Sequence, residues 1–137
     1  MSASANTELQ PDGLRSPLNS SIVRQLGRDM SGVKPGSFQA VNCSDVPWRP
    51  STIAAGVFVK DIAITAGWEM QLVRFEPGAR FPIHTHEHPE FLFILEGELF
   101  QAGSRLGPGW ASVASPGSVD ADVYSETGCV FVLVDRL

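Results

Sequence analysis

The chain is poor in several residue types that would mark a functional class. It has only two cysteines among 137 residues, and Cys43 and Cys129 lie too far apart in sequence to form a metal-binding pair. We interpret both as free thiols, as is typical of a reducing cytoplasm. Cys129 opens an apolar run, so we expect it in the core.

Charge and hydrophobicity argue against two further classes. The chain has no basic block and carries a net charge of −5, so we expect no nucleic-acid partner. Its apolar runs are far too short to span a bilayer, and its first residues lack the positive start and apolar core of a secretory signal. We therefore expect a cytoplasmic protein with no membrane association.

The composition changes near residue 45. Residues 1–45 are rich in Ser, Asn, Gly and Pro, and we expect an N-terminal extension that is partly disordered or contains one short helix. That helix would carry Ile22, Val23 and Leu26 on its apolar face and a cap among residues 19–21.

Residues 46–137 instead alternate between apolar and polar positions, with a turn signal about every 8–12 residues. This pattern predicts one all-β domain, a sandwich or a barrel. We expect strands over residues 53–64, with a turn at Lys60-Asp61, and over residues 68–75, 81–86, 91–100, 110–114, 119–124 and 129–135, with an interruption at Glu96-Gly97.

All three histidines fall within five positions, 84–88, between strand-like segments. The string runs from Gly78 through five residues to His84, one residue to His86, three residues to Glu90 and six residues to Gly97. Two imidazoles and a carboxylate at this spacing suit Fe(II), Mn(II), Ni(II), Zn(II) or Co(II) and leave coordination positions open. A lone His-x-His is usually not a ligand pair, but Glu90 and the two glycines favour metal binding.

Alternation along a strand places His84 and His86 on one face, which Arg80 shares by parity. Glu90 would reach the same point from the next strand, with Leu92 and Ile94 behind it. His88 lies beside Pro89 in a turn, and we interpret it as a loop residue rather than a ligand. The residues on the face opposite Glu90 are core or subunit interface: Phe91, Phe93 and Leu95.

The string from Gly78 to Gly97 resembles the first motif of the cupin superfamily, the RmlC-like proteins. The segments Trp48-Arg-Pro and Phe75-Glu-Pro-Gly78 and the tail from Pro116 to Phe131 resemble the ChrR-like cupins and the 2,4'-dihydroxyacetophenone dioxygenases. The resemblance covers about residues 46–135. It implies an all-β, single-domain cupin β-barrel, a small antiparallel jelly-roll with the N-terminal extension outside it and a metal in its mouth.

The second cupin motif is degraded. In the alignment that the resemblance implies, Gly109, Ser115 and Gly117 form its turns, Asp120 stands where a fourth ligand, usually His, is expected, and Tyr124 stands in the Asn position. Asp120 would then be a ligand, or a general base that orients substrate, or an exposed acid on an edge strand.

The remaining candidate residues are polar groups that could act in catalysis and side chains that could line a pocket. Arg80 and Tyr124 join Asp120 as candidate catalytic groups, and Asp122 shares the parity of Asp120 as its substitute. The residues that we expect to line the substrate pocket are Met70, Leu72, Arg74, Leu92, Ile94 and Trp110.

The resemblance implies a metal-dependent enzyme, above all an Fe(II) dioxygenase for a small hydroxyketone or diketone, with Zn(II), Mn(II) or Ni(II) as alternatives. A non-oxidative isomerase, cyclase or lyase is a second interpretation. A sensing cupin related to anti-sigma factors is a third, although residues 1–45 contain no His and only Cys43, so we expect no zinc-binding sigma-contacting domain there. We expect a homodimer that pairs through strands near residues 48–59.

Overall fold

The computed structural model describes residues 32–137, so the helix expected near Ile22 lies outside the described residues. The described chain contains one 3₁₀ turn, Cys43–Asp45, and twelve strands. The strands are β1 (Arg49–Pro50), β2 (Val57–Thr65), β3 (Trp68–Phe75), β4 (Arg80–Phe81), β5 (His84–Thr85), β6 (Glu90–Gly97), β7 (Leu99–Gln101), β8 (Ser104–Leu106), β9 (Ala111–Ala114), β10 (Val119–Asp120), β11 (Val123–Tyr124) and β12 (Cys129–Arg136).

These strands form antiparallel sheets around one core. The largest sheet has six strands in the order β1-β2-β3-β12-β6-β9, a second has four in the order β4-β11-β7-β8, and β10 pairs with β5. Buried side chains from the six-stranded and four-stranded sheets meet in one hydrophobic cluster. The expected all-β jelly-roll barrel is confirmed. Among the described residues, no helix is long and apolar enough to cross a membrane.

The strand predictions are confirmed in the long strands. β3 matches the predicted residues 68–75, and the predicted strand 91–100 is interrupted at Glu98, directly after the predicted Glu96-Gly97. Gly97 has φ +69°, and a Cβ there would overlap the carbonyl oxygen of Gly128, so this position of the motif requires glycine. The turn predicted at Lys60-Asp61 is wrong, because both residues lie within β2, which has a register shift between Asp61 and Ala63.

Two predicted strands are each divided in the same way. Residues 81–86 split into β4 and β5, and residues 119–124 split into β10 and β11. The breaks coincide because β4 pairs with β11 and β5 pairs with β10. Across each break the buried residues are three apart, Phe81 with His84 and Asp120 with Val123, instead of the two apart that continuous alternation predicts.

The interior has an apolar half and a polar half. In the apolar half, the ring of Phe75 packs against Phe81 and Phe131, with centroids 6.1 and 5.8 Å away. Cys129 is buried there, which confirms its predicted place in the core. The buried polar residues of the other half are Asp61, Glu69, Gln71, His84, His86, Glu90, Gln101, Asp120 and Asp135.

The side chains of Phe91, Phe93 and Leu95 are exposed on the outer face of β6. Phe91 and Phe93 line an apolar groove of about 430 Å³ with Val113, Val132 and Val134, among others. These residues are therefore not core, and their alternative interpretation as a subunit interface stays a prediction.

Glu69 is a buried acid whose pKa is strongly raised. Burial is the main cause that raises the pKa of Glu69 to about 8, and the negative charges of Asp135 and Asp61 raise it further against the opposing charge of Arg49. Folding therefore favours the protonated carboxyl of this side chain.

We expect Glu69→Gln to change the pH dependence of stability. The folded-state pKa lies above the ordinary value of 4.5, so the stabilising contribution of Glu69 is complete below about pH 4.5 and is lost as pH rises towards 8. The loss is at most about 5 kcal/mol at ~1.4 kcal/mol per pKa unit. In urea unfolding, the variant should therefore gain free energy of unfolding relative to the original protein between about pH 5 and about pH 8.

Glu96→Gln is the matched control, because Glu96 is an exposed glutamate on β6 and its substitution should leave the pH profile unchanged. Parallel profiles for Glu69→Gln and the original protein would contradict a raised pKa for Glu69.

Candidate metal centre

The pairing of β5 with β10 brings the two sequence motifs together. His84 lies directly opposite Asp120, and Thr85 lies opposite Val119. The ladder continues beyond the strands, where the backbone N–H of His86 donates to the carbonyl of Ser118 at 2.9 Å and the N–H of Gly117 donates to the carbonyl of His86 at 2.7 Å. The two histidines and Asp120 therefore converge inside the barrel.

The donor atoms of these three residues are close enough to share one cation. Asp120 Oδ2 lies 3.0 Å from His86 Nε2 and 3.5 Å from His84 Nε2. One donor atom from each residue lies within 4.8 Å of the others, and within residues 32–137 this is the single group of at least three His, Cys, Asp or Glu residues that does so. Asp120 is only 9% exposed, so the interpretation of Asp120 as an exposed acid is wrong.

His84 is oriented as a ligand by a backbone contact. Its Nδ1 lies 3.0 Å from the carbonyl oxygen of Pro82, which can only accept a hydrogen bond. The proton therefore sits on Nδ1, and the lone pair of Nε2 points towards Asp120. Burial is the main cause that lowers the pKa of His84, and this favours the neutral imidazole that a metal requires.

His86 and Asp120 form a buried charged pair. Burial lowers the pKa of His86, but the hydrogen bond to Asp120 and the charge of Glu90 outweigh burial and raise it. Burial likewise raises the pKa of Asp120, while hydrogen bonds from His86 and Gln101 lower it on balance. Gln101 Nε2 donates to both carboxylate oxygens at 3.2 Å and fixes their orientation. A divalent cation would therefore replace the proton between His86 and Asp120.

Glu90 lies on the other side of the His86 ring. Its Oε2 is 3.6 Å from His86 Nδ1, a buried atom for which no protein group accepts or donates a hydrogen bond. Glu90 also lines, with His84, Asp120 and Gln101, a cavity of about 20 Å³, room for about one water molecule or ion. The remaining walls are apolar: Phe75, Phe81, Leu92, Leu99, Val123 and Phe131.

The donor set fits a divalent transition metal. His84, His86 and Asp120 could ligate it, whereas Glu90 lies outside this group of donor atoms, beside His86 Nδ1, so its ligand role stays a prediction. Two nitrogen donors and one carboxylate donor suit Fe(II), Mn(II), Zn(II) or Ni(II). The distances favour the interpretation of Asp120 as a ligand over its interpretation as a base.

The structure corrects the placement of Arg80 and Tyr124. Both lie on the outer face of the four-stranded sheet, where the Arg80 guanidinium stacks 4.5 Å from the centroid of the Tyr124 ring and pairs with Asp122. The Tyr124 ring stacks on Phe100 at 4.7 Å. Continuous alternation predicts that Arg80 and Tyr124 face inwards with His84 and Asp120. The prediction is wrong because the breaks between β4 and β5 and between β10 and β11 shift the inward positions by one residue, to Phe81 and Val123. Neither residue, nor Asp122, reaches the candidate metal centre.

The three β3 residues predicted to line the substrate pocket do not line the cavity beside the candidate metal centre. Met70, Leu72 and Arg74 lie on the outer face of the six-stranded sheet, and the Arg74 guanidinium lies 4.6 Å from the centroid of the Trp48 ring. Alternation from the buried Phe75 places Glu69, Gln71 and Val73 inside. The more apolar face of this strand points outwards because its inner face supplies part of the polar half of the barrel.

The other predicted site residues divide between cavity, core and surface. Leu92 lines the cavity beside Glu90, and Ile94 is fully buried in the core behind it. Trp110 is 59% exposed and lies away from the cavity, so its pocket assignment is wrong. His88 is exposed, in agreement with its interpretation as a loop residue. Gln101 is a site residue that sequence reasoning missed, because an isolated glutamine in a short strand carries no motif.

Comparisons with known proteins agree with this architecture. The profile of the ChrR cupin-like domain family matches residues 37–136. No curated protein sequence matches the chain significantly.

Several solved structures share the fold. An acetylacetone dioxygenase from Acinetobacter johnsonii superimposes with a TM-score of 0.67 at 16% identity, covering 80% of each chain. The polyketide cyclase RemF from Streptomyces resistomycificus gives 0.61 at 19% identity, covering 73% of this chain and 82% of the other. A predicted oxalate decarboxylase from Thermotoga maritima gives 0.60 at 18% identity, covering 72% and 99%. Identities this low show a common fold and nothing finer.

We expect metal binding to depend most strongly on His84, His86 and Asp120. After anaerobic loading with Fe(II) and removal of free metal, the original protein should retain about one equivalent, because residues 32–137 contain one such donor cluster. His84→Ala and Asp120→Asn should each weaken binding at least about tenfold, and Glu90→Gln should weaken it less. Elemental analysis and calorimetric titration measure these affinities.

His88→Ala is the matched control, because it removes an exposed imidazole of the same run. Full retention by Asp120→Asn together with loss in Glu90→Gln would show that Glu90, and not Asp120, completes the ligand set.

Proposed function

The chain belongs to the ChrR cupin-like domain family, and from this premise we propose that it is a metal-dependent enzyme, a non-haem Fe(II) dioxygenase for a small hydroxyketone or diketone. The observation that carries the proposal is the buried convergence of His84, His86 and Asp120 next to a small cavity whose other walls are mostly apolar. The structural likeness to an acetylacetone dioxygenase supports the same class of substrate, because acetylacetone is a β-diketone.

The donor chemistry supports iron. Two imidazoles and one carboxylate that leave coordination positions open are the facial donor set typical of non-haem Fe(II) oxygenases. Bound Fe(II) would supply a Lewis acid that chelates the two oxygen atoms of a diketone and a redox centre that activates dioxygen.

The side chains around the centre have separate tasks in this proposal. Gln101 holds the Asp120 carboxylate through both oxygens, and the Pro82 carbonyl holds His84 in one tautomer. Glu90 is the buried carboxylate that lies in reach of the cavity and could accept the proton that a diketone loses when it ionises to its enolate. The apolar walls exclude water, which strengthens these interactions.

A non-oxidative reaction is the second candidate. The likeness to the polyketide cyclase RemF favours isomerisation, cyclisation or a lyase reaction at a metal-polarised carbonyl, which needs the same donor set and no dioxygen. A regulatory cupin that senses a metal or a small ligand is a third candidate, consistent with the family that the profile describes. The homodimer and the cytoplasmic location stay predictions.

Oxygen consumption tests the first candidate. Fe(II)-loaded protein should consume dioxygen with acetylacetone or 2,4'-dihydroxyacetophenone as the probe. One dioxygen should be consumed per carbon–carbon bond cleaved, its two atoms ending in the two carbonyl or carboxyl products. His84→Ala should lower the rate at least about a hundredfold because it removes a metal ligand. His88→Ala should retain the full rate.

An oxygen electrode combined with product analysis in ¹⁸O₂ makes the measurement. Conversion of the same probes at an equal rate without dioxygen would favour the non-oxidative candidate. No conversion over a broad panel of hydroxyketones and diketones, by protein that retains its iron, would contradict the dioxygenase.

A further inference from the structure

The outer face of the six-stranded sheet carries a continuous apolar surface on β3, β12, β6 and β9, which are adjacent strands. Paired residues of these strands form two rows across the sheet, which we term the outer array. The first row consists of Leu72, Val132, Phe93 and Ala111, and the second consists of Met70, Val134, Phe91 and Val113. All eight side chains are apolar, and all are partly or largely exposed.

The outer array is large for an apolar surface in contact with water. Phe91 and Phe93 are 49% and 45% exposed, and Leu95 continues the array along β6. Four strands at about 4.8 Å spacing and three residue rows at about 6.7 Å make a face of roughly 20 Å by 20 Å. Monomers rarely expose a contiguous apolar patch of more than a few hundred Å². A face of this size matches the apolar centre of a standard interface, which buries about 800 Å² per partner together with its polar rim.

The described chain covers the neighbouring part of the same face. The Trp48 ring lies over β2 and β3, with its centroid 5.0 Å from Lys60 Nζ and 4.6 Å from the guanidinium carbon of Arg74. Lys60 Nζ also donates to the carbonyl of Cys43 at 2.8 Å. This cover forms a polar margin on the β2 side of the outer array. Phe91 and Phe93, on the far side, stay about half exposed within residues 32–137.

The composition of the outer array indicates the kind of partner. Neither row contains a charged or hydrogen-bonding side chain. Interfaces of transient complexes are about as polar as the rest of a protein surface, whereas homodimer interfaces are more apolar. A net charge of −5 makes an anionic lipid surface an unfavourable partner. A second copy of the chain brings no like charge against the array, because the array itself is uncharged.

The order of side-chain sizes makes the outer array complementary to itself. From β3 to β9, large and small side chains alternate in both rows. A two-fold axis that runs parallel to the strands, between β12 and β6, reverses the strand order in the second copy and keeps each row opposite itself. Every larger side chain then faces a smaller one, which allows the two layers to interdigitate.

The first row shows this most clearly. Leu72 would face Ala111 of the partner subunit, and Phe93 would face Val132 of the partner subunit. In the second row, Met70 would likewise face Val113 of the partner subunit. A two-fold axis perpendicular to the strands would instead set Phe93 against the partner's Phe91, large against large.

We propose that the outer array is the interface of a two-fold homodimer, in which the six-stranded sheets of two copies pack face to face with the axis parallel to the strands. Sheets packed in this way lie about 10 Å apart, with their strand directions within about 30°. The interface lies apart from the strands near residues 48–59, where the sequence predicts pairing. It goes beyond the proposed dioxygenase function, because it uses none of the candidate metal ligands.

Sedimentation equilibrium of the full chain over a dilution series tests the dimer. We expect a mass that is twice the 14.8 kDa of one chain. Phe93→Arg should raise the Kd of the dimer at least about a hundredfold, because the guanidinium would be buried between two apolar layers. In a single copy the same side chain is exposed, so the variant should stay folded. Phe38→Arg is the matched control, because Phe38 is fully exposed outside the array, and its Kd should be unchanged.

A pair of substitutions tests the axis. Within one copy, β3 and β9 are separated by two strands, so Leu72 and Ala111 lie about 14 Å apart and cannot touch. Ala111→Leu should raise the Kd at least about tenfold by overpacking against the partner's Leu72. Adding Leu72→Ala should restore the original Kd to within about threefold. Coupling between these two positions can arise only across the interface.

Four results would overturn the proposal, each with circular dichroism showing the variants to be folded. Monomeric protein over the whole dilution series would exclude the dimer. A dimer that Phe93→Arg leaves intact would place the interface elsewhere, for example at the strands near residues 48–59. A dimer weakened by Phe93→Arg without coupling between Leu72 and Ala111 would contradict the axis. A monomer that Ile22→Glu and Phe93→Arg destabilise non-additively would show that residues 22–26 of the same chain occupy the face.

Discussion

The two-residue pairing of β5 with β10 is the contact on which the candidate metal centre depends. It sets Asp120 directly opposite His84, so residues 36 positions apart in the chain present their donor atoms 3.5 Å apart. Because this pair is so short, the site depends on the backbone bonds of His86 with Ser118 and Gly117 that extend the ladder. Gln101 and the Pro82 carbonyl then fix the orientation of the donors from two other directions. The ligand positions are thus held by backbone pairing, and their orientations by single hydrogen bonds.

The division of the interior explains how a small barrel can hold so many charges. The apolar half, centred on Phe75, Phe81 and Phe131, supplies hydrophobic stabilisation at one end. Buried acids and histidines next to this apolar cluster are held in hydrogen bonds and ion pairs, which limits the cost of their desolvation. At Glu69 this compensation is incomplete, so the buried carboxyl group lowers the stability of the fold. Glu69 also lines a cavity. This is the pattern expected where binding, rather than packing, selects the residues.

Sequence reasoning worked where local rules are sufficient. The alternation over Trp68–Phe75, with a turn after it, identifies a strand without knowledge of its partners, and the spacing of His84 and His86 indicates a metal site by chemistry alone. The ligand role of Glu90 stays a prediction, because Glu90 lies outside the group of donor atoms that converge. Asp120 became a candidate only through the resemblance to the second cupin motif. No local pattern marks it, because its role follows from a pairing between distant segments.

The errors have two physical causes. Arg80 and Tyr124 were placed by continuous alternation, and the paired breaks between β4 and β5 and between β10 and β11 reverse that parity. On β3, hydrophobicity predicts that the face carrying Met70 and Leu72 is the inner one, but Glu69 and Gln71 are the buried residues. Hydrophobicity predicts the inner face only where the interior is apolar, and this strand crosses into the polar half.

A crystal structure of the Fe(II)-loaded protein, with anomalous differences recorded on both sides of the iron edge, tests the metal centre most directly. The geometry predicts one iron peak within bonding distance, about 2.1 Å, of His84 Nε2, His86 Nε2 and an oxygen of Asp120. A peak at His88, a peak beside the buried carboxyl groups of Asp61, Glu69 and Asp135, or crystals of iron-treated protein with no peak between the two histidines and Asp120, would contradict it.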